Sequence, residues 1–351
     1  MALPEGALLV ERRCTMRGTQ LGVLLPVMLL LTGCAQSASQ PQSWDFFAMD
    51  TYMTFKVWPQ DPALPERTRT EIERLESLLS VTRDGSDLDR INHARGTPVT
   101  VSPETAEIIQ MGLSCGAETG GALNIAMYPV SKLWGFTQDT HQVPAPGEIA
   151  DALEHTDLSR ISVNGETITV PDGTELDLGA LAKGYAGDRL RSVLQENGVT
   201  SGILSLGGNV EVIGTKLDGS PWRVGIADPF APSEILCSVM TRSGAVVTSG
   251  SYQRYFEENG RRYHHILDPE TGYPAEQGLV SVTVTGEDGV TCDALSTALF
   301  VMGKERAVAE WNRRQDFGMI LITDEPALYY TEGLDMQDLP AIPVEVISHE
   351  P

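Results

Sequence analysis

The chain has 351 residues, enough for one large domain or two modest ones with a full core. Its 25 lysines and arginines stand against 48 acids, a net charge of −23, and this excludes a nucleic-acid partner, which would demand a basic face. Apart from Cys14 and Cys34 near the N-terminus, the cysteines are Cys115, Cys237 and Cys292, an odd set with no Cys-x-x-Cys spacing, so neither a disulfide framework nor a zinc site is expected.

The N-terminus reads as a targeting segment. Arg12, Arg13 and Arg17 precede an apolar run from Leu21 to Leu31 that is too short to span a bilayer. Leu31-Thr32-Gly33-Cys34 resembles the bacterial lipobox, which makes residues 1–33 a lipoprotein signal peptide and Cys34 the lipidated first residue after cleavage. Met16 would give a shorter signal than Met1, and the sequence leaves the start open between them. Ala35 is no inner-membrane retention signal. Residues 34–44, rich in Ser, Gln and Pro, form a polar tether, and 45–345 the remaining domain. Such a protein is exported and lipid-anchored, on the periplasmic side in a Gram-negative host.

Trp44 to Trp58 alternates and is predicted as one strand with Met49-Asp50-Thr51 inside it. Pro62 to Leu79 carries a helical stripe of Ile72, Leu75, Leu78 and Leu79; Ser86 caps a short helix to Asn92, and Pro103 to Thr119 is a further helix. Gly120 to Phe136 is a loop of small residues leading into a short apolar helix, and Glu148 to Glu154 is helical. Ile161 to Val170 has the pattern of a hairpin turning at Asn164-Gly165.

In Glu175 to Leu190, Leu176 to Leu178 end a strand, Gly179 turns, and a helix begins near Ala182. A helix start reached through a tight turn offers backbone N–H groups and a positive dipole end, and with Asp177 and Lys183 it suits a phosphate-bearing ligand or, equally, a capped helix with a solvated lysine. Strands follow at Ser201–Ser205, Val210–Thr215, Trp222–Ile226, Ile235–Thr241, Ala245–Thr248, around a turn at Asn259-Gly260, and at Val280–Val284. Helices at Val290–Met302 and Lys304–Arg314 and a strand at Met319–Thr323 complete the chain. The strands look antiparallel, so the fold class is α+β.

Asp293 and Thr297 stand four apart on one helix face and offer the hard oxygens that Mg²⁺ accepts, although an aspartate near a helix start also serves as a cap. His264 and His265 end a strand on opposite faces, so at most one faces a given site, where an imidazole acts as general base near neutral pH. A rate that rises with pH through that titration and then levels is the corresponding expectation.

Five motifs in one order, Asp177-Leu-Gly-Ala-x-Ala-Lys-Gly-Tyr185, Leu206-Gly-Gly-Asn209, Thr248-Ser-Gly-x-Tyr-x-Arg-Tyr-Phe256, His265-Ile-Leu-Asp-Pro-x-Thr-Gly-Tyr-Pro274 and Asp293-Ala-Leu-Ser-Thr-Ala298, make the stretch Met49 to Thr323 similar to the ApbE family of FAD:protein FMN transferases. The resemblance implies an ApbE-like α+β fold with a largely antiparallel sheet and flanking helices. It implies a Mg²⁺-dependent transfer of FMN from FAD to a threonine hydroxyl of an exported partner, releasing AMP. By the same resemblance Asp293, Thr297 and the Ala180 carbonyl hold the metal, and Met49, Ala122, Leu123, Asn124, Asp177, Lys183 and Ile266 contact FAD. His265 then deprotonates the acceptor. Asn124 and Ser251 stand where aspartate is common in the family, and Thr82 where some members have an aromatic residue.

The acceptor the resemblance implies is a Ser/Thr-Gly-Ala-Thr threonine on a redox-pump subunit. The nearest sequence here, Ser243-Gly-Ala-Val246, has no hydroxyl at the fourth place, so self-modification there is not expected. An FAD pyrophosphatase, with water in place of threonine, and a non-catalytic flavin-binding lipoprotein are the alternatives.

Overall fold

The first strand is in fact two. The structure, a computed structural model that describes residues 40–138 and 140–349, opens with a hairpin of β1 (Gln42–Ala48) and β2 (Thr51–Trp58). Met49 and Asp50, at φ 49° and 55°, form its two-residue turn. No glycine announces this turn, and that is why the alternation reads as one strand. The signal peptide, Cys34 and the start of the tether lie outside the described residues. Gln42 to Trp44, expected as tether, already pair with Val57 to Phe55.

Helices α1 (Leu64–Leu79), α2 (Asp87–Asn92) and α3 (Pro103–Glu118) follow, with the short strand β3 (Val99–Thr100) before the third. Ser86 and Ser102 cap the second and third through their hydroxyls. Next come α4 (Tyr128–Trp134), α5 (Pro146–Leu153) and the small hairpin β4 (Ser162–Asn164) and β5 (Thr167–Thr169). Beyond α6 (Ala182–Glu196) run β6 (Ser201–Leu206), β7 (Asn209–Ile213), β8 (Trp222–Asp228), β9 (Ala231–Thr241) and β10 (Gly244–Gly250). β11 (Tyr255–Glu258), β12 (Arg261–His264) and β13 (Leu279–Gly286) lead to the long helix α7 (Gly289–Arg314), which is interrupted by a non-helical Gly303 where the sequence divides it. β14 (Gly318–Thr323), β15 (Leu328–Thr331), β16 (Asp335–Gln337) and β17 (Val344–Ile347) close the chain, the last three unforeseen because they are short.

One sheet of order β1-β2-β6-β7-β10-β13-β14-β15-β17 organises these elements, antiparallel throughout except for the β15–β17 pair. Its strands alternate between two cores. Val247, Met319 and Leu321 face the helices with Leu190, Leu295 and Leu299, whereas Val246, Ile320 and Ile322 face Trp222, Val224 and Val239 of the three-stranded sheet β16-β9-β8. With both faces covered, the central strands carry apolar residues at consecutive positions. The α+β class and antiparallel sheet match the sequence expectation.

Leu176 to Leu178 is not a strand. The Asn92 side-chain amide takes the place of a neighbouring strand, donating to the Leu176 carbonyl at 2.9 Å and accepting its N–H at 2.7 Å, and the Asp177 N–H donates to the Ile125 carbonyl at 2.8 Å. The segment is held by these bonds without a ladder, and a turn at 179–181 carries it into α6.

Candidate active site

Three turns meet at one end of the main sheet. The Met49-Asp50 turn of the first hairpin lies against the β6–β7 turn so closely that a Cβ on Gly207, at φ +62°, would sit 1.8 Å from Thr51 Oγ1. Gln253, just after β10, reaches the same turn and donates to the Thr248 carbonyl at 3.1 Å. The starts of α6 and α7 complete this end.

The two helices cap each other. Asp293 of α7 accepts the Gly184 N–H of α6 at 2.8 Å, and Asp188 of α6 accepts the Gly289 and Val290 N–H groups of α7, each at 2.9 Å. Contact this close needs glycine, since a Cβ on Gly184 would lie 2.3 Å from the Gly289 carbonyl oxygen. Arg191 ties the arrangement to the sheet through Asp188 and Glu211, both at 2.7 Å. Glu211 is fully buried, and burial with the charge of Asp188 pushes its carboxyl up to about 8. The amides at the start of α6 are therefore mostly engaged within the protein, with the Leu181 and Ala182 N–H groups on the Leu178 carbonyl. Fewer free amides are on offer there than the sequence suggests, and side chains and carbonyls carry more of the site.

This capping prepares a set of oxygens. Because Gly184 donates to Asp293, it does not close the helical bond one turn back to the Ala180 carbonyl. Ser296 donates its hydroxyl to the Asp293 carbonyl at 2.9 Å, so the 2.8 Å contact between Ser249 and Ser296 uses the Ser249 proton. Thr297, 3.2 Å from Ser249, is then the donor of that pair and keeps its lone pairs free. Burial raises the Asp293 carboxyl above its usual range, opposed by the Lys183 charge, the Gly184 N–H and the neighbouring Asn209 amide. That amide nitrogen lies outside ordinary hydrogen-bond geometry, an orphan beside a desolvated carboxylate. Among the described residues no three His, Cys, Asp or Glu side chains are arranged to hold a metal ion, so a cation held here relies on one carboxylate, one hydroxyl and one carbonyl. Hard oxygens of this kind fit Mg²⁺.

Lys183 is the hub. Its charge also acts on Asp177, which burial raises and which the Gly179 N–H and Arg254 pull down, and on His265. His265 is half-buried. Its N–H donates to the Arg254 carbonyl, and its Nδ1 lies 3.1 Å from the same oxygen. A carbonyl can only accept, so the proton sits on Nδ1 and Nε2 presents a lone pair. Burial, and after it the Arg254 charge, pushes the imidazole down to about 3, well below the near-neutral value the sequence suggests. Phe136 packs edge-on against the ring at a centroid distance of 6.4 Å. His264 points the other way into the core, donates to the Ala275 carbonyl at 3.2 Å and is pushed down by burial to about 4.

Of the residues expected to contact flavin, Asp177 and Lys183 share this site through their charges, and Met49 belongs to a converging turn whose N–H is held by Glu76 at 2.9 Å. Ile266 is buried next to His265. Ala122 and Leu123 are buried, and the Asn124 side chain is committed to the Thr156 carbonyl and the Ala126 N–H, so this loop has mainly backbone to offer. Sequence reading missed Asn209, Asp188, Glu211 and Arg254; the first and last stand inside the quoted motifs without an assigned role. A hollow of about 440 Å³ on the outer strands, lined by Trp44, Lys56 and Ser205 among others, shares no residue with this site.

Hard oxygens and a lysine that forms no ion pair among the described residues, at the junction of two helices, belong, as a class, to α+β proteins that handle phosphate esters. The ApbE family model matches residues 49–321, and the chain belongs to that family. It is 38% identical to an FAD:protein FMN transferase of Klebsiella pneumoniae over 82% of this chain and 90% of that one. It is 33% identical to the Vibrio cholerae protein of the same name over 86% and 94%. Among solved structures, an ApbE protein of Thermotoga maritima superimposes with a TM-score of 0.78 at 35% identity, covering 82% of this chain and 96% of that one. The apo form of the Pseudomonas stutzeri flavinyl transferase ApbE does so with 0.73 at 30%, covering 82% and 92%.

Proposed function

We propose that this protein is a transferase that moves the FMN half of FAD onto a threonine hydroxyl of a partner protein, with Mg²⁺ held by Asp293, Thr297 and the Ala180 carbonyl and with AMP as the leaving product. Family membership supports flavin transfer, and the one observation that carries the chemistry is the neutral His265, held with Nε2 free, beside Lys183 and the Asp293–Thr297 oxygens. Bound there, the cation would supply positive charge to the pyrophosphate of FAD.

The residues of the chain then divide the work. His265 Nε2 accepts the proton of the acceptor hydroxyl as its oxygen attacks the phosphorus of the FMN half. The bond from that phosphorus to the AMP oxygen breaks and its electron pair leaves with AMP. Lys183 neutralises the charge that gathers on the phosphates, in a half-buried place where it is worth more than in water. Asp177 and the backbone of the Ala122–Asn124 loop orient the dinucleotide. The acceptor matches the Ser/Thr-Gly-Ala-Thr type, on an exported redox-pump subunit, and the protein reaches it as a lipoprotein anchored through Cys34. No helix among the described residues is long and apolar enough to cross a membrane.

The test is incubation with FAD, Mg²⁺ and a protein carrying such a threonine. The acceptor should gain the mass of one FMN, and a chelator or Asp293→Ala should abolish the gain while the protein stays folded. Free FMN and AMP with an unmodified acceptor would make the protein an FAD pyrophosphatase, and intact FAD would make it a binder.

A further inference from the structure

The carbonyl that fixes the tautomer of His265 belongs to Arg254, the residue just before β11. Tyr255 and His264 are opposed at the end of the β11–β12 ladder, so Arg254 and His265 form the next opposed pair, joined by the His265 N–H on the Arg254 carbonyl at 3.1 Å. Opposed residues of an antiparallel pair project their side chains from the same face. The Arg254 guanidinium therefore lies on the His265 side of the hairpin, away from Tyr255 and His264. The other arginines of this hairpin are matched, Arg261 with Glu276 at 2.8 Å and Arg262 with Glu257 at 3.3 Å. Arg254 is exposed and forms no ion pair among the described residues, in a chain with nearly two acids for every base. An arginine with no close ion pair, whose charge acts on both His265 and the buried Asp177, is placed for an anion that arrives from outside.

We propose that Arg254 is a further catalytic residue that grips the non-bridging oxygens of the phosphorus transferred with FMN. This rests on the transferase reading. In a displacement at phosphorus the attacking and departing oxygens lie on opposite sides, and the base marks the attacking side. A group beside the base thus reaches the equatorial oxygens of the phosphorus under attack and not the departing AMP. The planar fork of guanidinium suits two such oxygens at once. Arg254 gives and takes no proton: the hydroxyl proton goes to His265 Nε2, the new oxygen–phosphorus bond forms, and the AMP oxygen leaves with its electrons.

Calorimetric titration of wild type, Arg254→Ala and Arg254→Lys with FMN, riboflavin and AMP tests this, with FMN transfer measured alongside. Arg254→Ala should bind FMN about 10- to 100-fold more weakly, with riboflavin and AMP held as by wild type and transfer slowed by about two to three orders of magnitude. Arg254→Lys should fall between. Unchanged FMN affinity in Arg254→Ala, or equal weakening for FMN and riboflavin, overturns the proposal, the second because it reports a structural role. A wild-type protein that prefers FMN to riboflavin but transfers nothing contradicts the transferase reading alone, and the FMN–riboflavin comparison still decides Arg254. A wild type that binds no FMN overturns both.

Discussion

His265 shows how a single side chain acquires its chemistry from its surroundings. Its Nδ1–H is spent on the Arg254 carbonyl, and its burial against Phe136 with a cation alongside keeps the ring neutral down to about pH 3. A base already deprotonated throughout the physiological range contributes no titration there. The transfer rate, measured at saturating FAD and acceptor, is expected to be flat with respect to His265 from about pH 5 to 8 and to fall only in stronger acid. A rate climbing through pH 6.5 and abolished by His265→Ala would show that the imidazole keeps its ordinary value. Stability falls in the same direction, and it begins to fall at higher pH than the rate. The unfolded chain protonates both histidines below about 6.5, while the folded chain does so only near 4 for His264 and 3 for His265. The unfolded state then binds more protons, and stability is lost as pH falls across that window.

At the scale of elements, the device that shapes the site is the exchange of caps between α6 and α7. A cap is worth about 1 kcal/mol as stability, but here each one also positions chemistry. Asp293 takes the Gly184 N–H, which releases the Ala180 carbonyl, and Asp188 fixes the start of the helix that carries Asp293 and Thr297. Gly184→Ala should force the helices apart, because its Cβ would also sit 2.8 Å from the Asp293 Cβ. We expect a loss of about 1 to 3 kcal/mol in stability, read by denaturant unfolding, and a higher Mg²⁺ requirement for transfer in the fraction that stays folded. A variant with wild-type stability and wild-type Mg²⁺ requirement would show that the crossing has room for a Cβ. None of this was visible in sequence, since Asp188 and Gly289 are 101 residues apart. Periodicity did reveal α6, α7 and the break at Gly303, because each is a local pattern. It failed at Leu176–Leu178, where a distant asparagine replaces a strand, and at Met49-Asp50, where two ordinary residues take left-handed geometry.

For the molecule as a whole, motif order pointed to the family and supplied candidate site residues, but not which parts of them face a ligand. Asn124 has its side chain turned into the protein, and Arg254 has no local signature that separates it from a solvated surface arginine. The proposed lipid anchor belongs to this scale, since it would confine the enzyme to the compartment of the proposed acceptor. Cys34→Ser should leave FMN transfer by the purified domain unchanged and remove labelled fatty acid from the protein expressed in a bacterial host. Incorporation that persists in Cys34→Ser would refute the anchor. In the proposed reaction one base-assisted step joins FMN to the acceptor and frees AMP. A single-turnover reaction with stoichiometric FAD tests it most directly, by following AMP and acceptor-bound FMN together in wild type and His265→Ala. The two products should rise in step, one for one, and His265→Ala should slow both by about two to four orders of magnitude while binding FAD as wild type does. AMP appearing ahead of bound FMN, or equal rates in the two proteins, would contradict it.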